Sequence, residues 1–139
     1  KTLYEILSRL DKDSRPADDK RNFSVIAPAV KYLEEHFTDS TLTNELLAQK
    51  ALISEIYFRR MFKEKYDVSP KQYIQNLRIK KAEDLLCSEY FSITSVAEMT
   101  GYASVYHFSR SFKKATGYTP TEYVKQFGIS AAPEEGKSN

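Results

Sequence analysis

Arg59, Arg60 and Lys63 stand close together in the stretch Ser54 to Lys65, SEIYFRRMFKEK, and the chemistry open to them is recognition of an anion. With about 100° of turn per residue, Phe58, Met61 and Phe62 fall on one face of a short helix. Ile56, Arg60 and Lys63 fall on the opposite face, with Arg59 at its margin. The apolar side can dock on a core while the far side meets a negatively charged partner. Fifty positions later the pattern returns in Ser104 to Lys114, SVYHFSRSFKK, where Phe108, Arg110, Phe112 and Lys113 repeat Phe58, Arg60, Phe62 and Lys63. The register holds beyond the helix: Ser69-Pro70-x-x-Tyr73 becomes Thr119-Pro120-x-x-Tyr123. The chain therefore contains an internal duplication, and any fold has to accommodate it.

A cationic helix face with a capped N-terminus suits the major groove of B-form DNA, which admits one helix and displays a distinct donor and acceptor pattern for each base pair. Arg59 and Arg60 can each bridge guanine O6 and N7 with two hydrogen bonds, and Ile56 can touch a thymine methyl. Tyr106, Ser109 and Arg110 are their counterparts in the second copy and complete the expected base-reading set. Ser54 and Ser104 are expected caps whose helix N-termini can hold a phosphate. Lys63, Lys65, Lys113 and Lys114 suit phosphate contact, with Tyr57 and His107 in support.

The elements that must position these residues are helices. Four Gly and five Pro in 139 residues favour helices over turn-rich sheets. Leu3, Ile6, Leu7 and Leu10 predict a short amphipathic helix, followed by a charged linker to about residue 22. It reads as the end of an upstream domain or a contact to a partner. The chain starts at Lys1 rather than Met and is expected to belong to a longer protein. A DNA-binding domain is expected over 23–127. Its first helix runs from Ser24 to Phe37, with Pro28 near the first turn.

A helix-turn-helix is predicted over about 43–66: Thr43 caps one helix, a break falls at Leu52-Ile53, and Ser54 caps the next. Pro70 opens a long helix over about 70–87, roughly 27 Å at 1.5 Å per residue. A second helix-turn-helix is predicted over about 92–116, from Ser92 through the Gly101-Tyr102 turn. Pro120 starts a last helix that ends at Gly128, and 128–139 reads as a disordered tail. A stiff helix between two recognition helices could place them one turn of duplex apart, roughly 34 Å, or require the DNA to bend.

Charge supports the same partner. The overall balance is +2, but residues 41–125 carry +4 and the preceding stretch −1. Cys87 is the single cysteine, so the chain can form no internal disulfide and no thiolate metal cluster; Cys87 reads as a packing residue in a reducing compartment. No apolar run reaches membrane-spanning length and no signal peptide is visible. With no Gly-rich phosphate loop, no His and carboxylate pair at metal spacing and no nucleophile beside a base, an enzyme is not expected, and neither is a cofactor. A helical protein-protein interaction module is the alternative; it leaves the return of Arg60 and Lys63 as Arg110 and Lys113 unexplained.

Over roughly Val25 to Phe127 the chain resembles the C-terminal DNA-binding domain of the AraC/XylS family of bacterial transcription regulators. The likeness rests on Leu47-Ala48, Ile53-Ser54-x-x-Tyr57-Phe58-x-Arg60-x-Phe62-Lys63 and Ser69-Pro70-x-x-Tyr73. It continues through Leu77-Arg78-Ile79-x-x-Ala82-x-x-Leu85-Leu86 and Val96-Ala97-x-x-x-Gly101-Tyr102. It closes with Tyr106-x-Phe108-Ser109-Arg110-x-Phe112-Lys113 and Gly117-Tyr118-Thr119-Pro120-x-x-Tyr123. The resemblance implies an all-α fold of about seven helices, two helix-turn-helix subdomains joined by a long linker helix, plus the N-terminal extra helix. It implies promoter binding by a cytoplasmic regulator, contact with RNA polymerase and, for many members, an upstream sensing domain. Three positions depart from the pattern: Asn44 replaces an apolar residue, and Leu52 and Asp67 replace glycines, all bearing on the geometry of the first turn.

Overall fold

The computed structural model describes residues 23–131. The predicted helix over Lys1 to Leu10, its linker and residues 132–139 lie outside the described residues. Among the described residues there are seven α-helices, one 3-10 turn and no strand, and the chain divides into two compact units. The fold is all-α, with two helix-turn-helix subdomains and a long connecting helix.

The first unit takes residues up to Glu35 and from Thr43 to Pro70. Helix α1 runs over Ala27–His36 and buries Ala29, Val30 and Leu33 along one stripe. It starts later than the sequence suggested. Residues 23–25 are helical as well, and the Ile26 N–H reaches the Phe23 carbonyl at 3.2 Å. Pro28 has no N–H to donate to the Ser24 carbonyl, so the chain breaks at Ile26 and restarts. Helix α2, Asn44–Lys50, is capped by Thr43, whose side chain accepts from the Leu46 N–H, and it buries Leu47 and Ala48. Helix α3, Glu55–Tyr66, packs on α2 and buries Phe58, Met61 and Phe62, the face expected from the sequence.

The second unit takes His36–Leu42 and the chain from Lys71 onward. Helix α4 spans Pro70–Ser88, α5 Ile93–Met99, α6 Val105–Thr116 and α7 Pro120–Phe127. Ile79, Ala82 and Leu86 of α4 share one core with Val96, Ala97, Tyr102, Phe108 and Phe112. Leu85, Phe91, Ile93, Tyr123 and Val124 pack around it. Phe112 meets Phe108 at 5.6 Å and the Tyr123 ring edge-on at 5.2 Å. The aromatic spacing repeated in the sequence is therefore the core of each unit.

The start of the expected disordered tail is ordered. Ile129–Ala131 forms a 3-10 turn. Both the N–H and the hydroxyl of Ser130 donate to the Glu89 carboxylate, at 2.6 and 2.5 Å, which offsets the ordering of a short polar segment. These bonds hold the Glu89 carboxyl below its usual range.

Candidate nucleic-acid interface

The two candidate recognition helices, α3 and α6, are built the same way from cap to cap. Ser54 accepts from the Tyr57 N–H at 3.1 Å, and Ser104 accepts from the His107 N–H at 3.0 Å. Each cap stabilises its helix by about 1 kcal/mol. The remaining free amides of each first turn, with the helix dipole, can meet an anion. At the far ends Asp67 (φ 66°) and Gly117 (φ 87°) are both left-handed, and their N–H groups donate to the Lys63 and Lys113 carbonyls at 2.8 Å. Asp67 thus does the backbone work of a glycine, a conformation Asp tolerates better than most residues.

The turns leading into these helices also correspond, through a different register. Leu52 (φ 58°) and Gly101 (φ 95°) are the left-handed residues. The Ile53 N–H bonds the Ala48 carbonyl at 3.1 Å, and the Tyr102 N–H bonds the Ala97 carbonyl at 3.0 Å. Ile53 therefore matches Tyr102 and Ala48 matches Ala97, a register of 49, whereas the caps Ser54 and Ser104 keep the register of 50. The second turn carries one extra residue, Ala103, just before its cap. Despite the departures at Leu52 and Asp67, the first copy keeps the left-handed residues of the second in both its turn and its stop.

Gly101 answers to a close approach as well as to its dihedral. A Cβ there would lie 2.7 Å from the Thr38 carbonyl oxygen and 3.0 Å from Arg78 Nε. Arg78 donates through Nε to the Phe37 carbonyl at 2.6 Å and through a terminal nitrogen to the Asp39 carbonyl at 3.0 Å, and its guanidinium lies 5.8 Å from the Tyr102 ring centroid. Burial lowers its pKa, partly offset by Tyr102 and Asp39. Counted only as a charge, Arg78 looks like part of a basic surface; it is consumed internally, fastening residues 37–39 within the second unit.

On α3, Ile56 is 70% exposed, and Arg59, Arg60 and Lys63 are exposed with it. Arg60 lies 5.8 Å from the Tyr57 ring centroid, and Arg59 makes an open ion pair with Glu55 at 3.7 Å. Such a pair contributes only about 0.3–0.5 kcal/mol, so Arg59 can exchange it for another anion. Lys65 does not join this group. It is exposed as well, but seven residues after Phe58 it lies on a different side of the helix, with its ammonium over the Tyr66 and Phe23 rings at 5.3 and 6.0 Å.

On α6, Tyr106 is 69% exposed, Arg110 stands 5.7 Å from its ring, and Ser109 is half-buried. His107 sits edge-on to Tyr102 at 5.7 Å. Lys113 and Lys114 lie on opposite margins. Lys113 reaches Glu122 at 3.8 Å, while Lys114 turns toward α4. Arg110 is the member of the set that belongs both to the outer face with Tyr106 and to the margin with Lys114.

Cys87 is half-buried, and burial pushes its thiol up, away from the reactive range. Among the described residues no group of His, Cys, Asp and Glu could hold a metal ion, and no helix is long and apolar enough to cross a membrane.

Comparison with known proteins places this geometry in company. A family model described as a helix-turn-helix domain matches residues 47–126. The raffinose operon transcriptional regulatory protein RafR of Pediococcus pentosaceus is 33% identical over 101 residues, 73% of this chain and 36% of that protein. The arabinose operon regulatory protein of Escherichia coli is 26% identical over 121 residues, 87% of this chain and 40% of that protein. Among solved structures, the C-terminal domain of AraT, a response regulator from Geobacillus stearothermophilus, superposes with a TM-score of 0.73 at 34% identity, covering 76% of this chain and 87% of that one. The DNA-binding domain of the transcriptional factor AdpA, in complex with a target DNA, has a TM-score of 0.67 at 26% identity, covering 73% of this chain and 93% of that one. The chain spans about two fifths of the length of the curated relatives it matches.

Proposed function

Because the chain belongs to the AraC/XylS family of helix-turn-helix transcription regulators, we propose that it binds double-stranded DNA sequence-specifically and regulates transcription, with α3 and α6 entering successive major-groove segments. The observation that carries this reading is the repeated unit of Ser cap, exposed Arg and left-handed stop, at Ser54, Arg60 and Asp67 and again at Ser104, Arg110 and Gly117. Nothing in core packing requires an exposed arginine twice at the same register; recognition of base edges does.

In this reading Ile56, Arg59 and Arg60 face bases in one segment, and Tyr106, Ser109 and Arg110 in the next. Lys63, Lys113 and Lys114 meet phosphates, and the helix ends at Ser54 and Ser104 help hold them. Tyr57 and His107 steady the arginine and the helix start beside them. Lys65, exposed and lying over the Tyr66 ring, is a further phosphate contact. The role is binding rather than catalysis, in the cytoplasm. Its relatives are regulators about twice as long as this chain. A sensing domain upstream and contact with RNA polymerase are therefore part of the proposal.

Selection of bound duplexes from a random pool tests it. A two-part motif is expected. Affinity for the selected duplex should then fall steeply as salt rises, since several neutralised phosphates release their counterions. Binding that shows no sequence preference and no salt dependence would overturn the reading.

A further inference from the structure

The second unit contains a cleft of about 550 Å³ between the N-terminal half of α4 and one margin of α6. Three amide side chains, Gln72, Gln75 and Asn76, line its α4 wall, and His107, Arg110 and Lys114 line its α6 wall. Among the described residues no carboxylate lines it. Its depth comes from sequence. Ser111 and Ala115 on the cleft side of α6 take the places that Met61 and Lys65 hold in α3, and the smaller side chains leave space beside Ile79. The amides are already organised: the Gln72 side chain donates to Asn76 Oδ1 at 2.9 Å, and Gln75 leans toward the Ser111 hydroxyl at 3.5 Å.

Two fixed cations, an imidazole and a row of amide donors without a competing acid make a site for a phosphoester. The volume exceeds what a lone ion needs and suits a sugar-phosphate unit. Arg110 borders both this cleft and the outer face that carries Tyr106. A ligand in the cleft is therefore continuous with whatever α6 touches. We infer that the cleft seats a backbone segment of the DNA strand flanking the groove entered by α6, so that Gln72, Gln75 and Asn76 of the connecting helix are part of the DNA interface. The inference rests on the reading of α6 as a recognition helix.

The test compares Gln75→Glu and Gln75→Lys in the full chain on the selected duplex, by fluorescence anisotropy across a salt series. A negative charge in the cleft should weaken binding about tenfold at 0.1 M salt, and a positive one should tighten it and steepen the log-log salt slope by about one. Lys81→Gln makes the same change in net charge on the opposite side of α4 and should alter affinity at most about twofold. Replacing phosphates one at a time by neutral methylphosphonates should weaken the wild type at one or two positions, and there Gln75→Ala should show a smaller penalty.

Wild-type binding with Gln75→Glu and Gln75→Lys both indistinguishable from it would overturn the cleft assignment alone. A wild type without salt-dependent duplex affinity would remove the reading beneath it. Inorganic phosphate or ATP raising the Tm of the wild type but not of Gln75→Glu, with duplex affinity equal in both, would assign the cleft to a free phosphoester and overturn the DNA contact.

Discussion

Leu52 is 91% exposed and left-handed, a combination with no packing return. A non-glycine residue there costs about 1–2 kcal/mol, of which glycine would give back part to its greater unfolded-state freedom. Leu52→Gly should therefore stabilise the protein by about 0.5–1 kcal/mol in urea unfolding; a loss of stability would show that the side chain is held by a contact. Gly101 and Gly117 make the converse comparison. Both have positive φ, but a Cβ at Gly117 meets nothing within 4 Å, while one at Gly101 meets the Thr38 carbonyl at 2.7 Å. Gly117→Ala should cost about 1 kcal/mol, and Gly101→Ala about 3 kcal/mol or more, because the Thr38 backbone has to move. Equal losses in the two variants would mean that the 37–39 segment yields without resistance.

Helix ends carry the pH dependence. The α7 N-terminus is a full capping box: the Thr119 side chain accepts from the Glu122 N–H at 3.1 Å, and the Glu122 carboxylate accepts from the Thr119 N–H at 2.9 Å. That backbone bond, then the charge of Lys113, holds the Glu122 carboxyl below its ordinary 4.5. A carboxyl whose folded pKa is depressed adds stability that is fully present above its unfolded value and disappears as pH falls through the folded one. Glu122→Gln should therefore have a lower Tm than the wild type at pH 6, and the gap should close as pH drops below about 4.5. A gap that stays constant with pH would assign the effect to packing.

These elements were largely legible beforehand, because caps, Pro at a first helical position and apolar periodicity are local signals. Thr43, Ser54, Ser92 and Ser104 all cap as the sequence indicates. The parts that escaped are long-range. The extra residue Ala103 hides because the helices on either side of it each align well in their own register. The role of Arg78 depends on carbonyls some forty residues away, which charge counting cannot see. The ring contacts of Lys65 are of the same kind: its place over Tyr66 is set by packing that charge counting cannot see.

At the scale of the molecule, the proposed reading has one duplicated chain do what usually takes a symmetric dimer, without the symmetry. The two helix-turn-helix copies share cap chemistry, yet Ile56 and Arg59 stand where the second copy has Tyr106 and Ser109. The proposed half-sites should then differ in sequence and occur in a fixed order. Arg60→Ala and Arg110→Ala should each relax specificity in one half only, with losses of about 1–3 kcal/mol, or roughly ten- to a hundredfold, against the selected duplex. Their effects should add, since the two arginines belong to separate units. Inserting five base pairs between the half-sites turns one of them to the far side of the duplex, so affinity should drop to that of a single unit. The Arg110→Ala variant, already bound mainly through α3, should be much less sensitive to the same insertion. Equal sensitivity in wild type and variant, or relaxation of the same half by both substitutions, would mean that the two helices do not read separate segments.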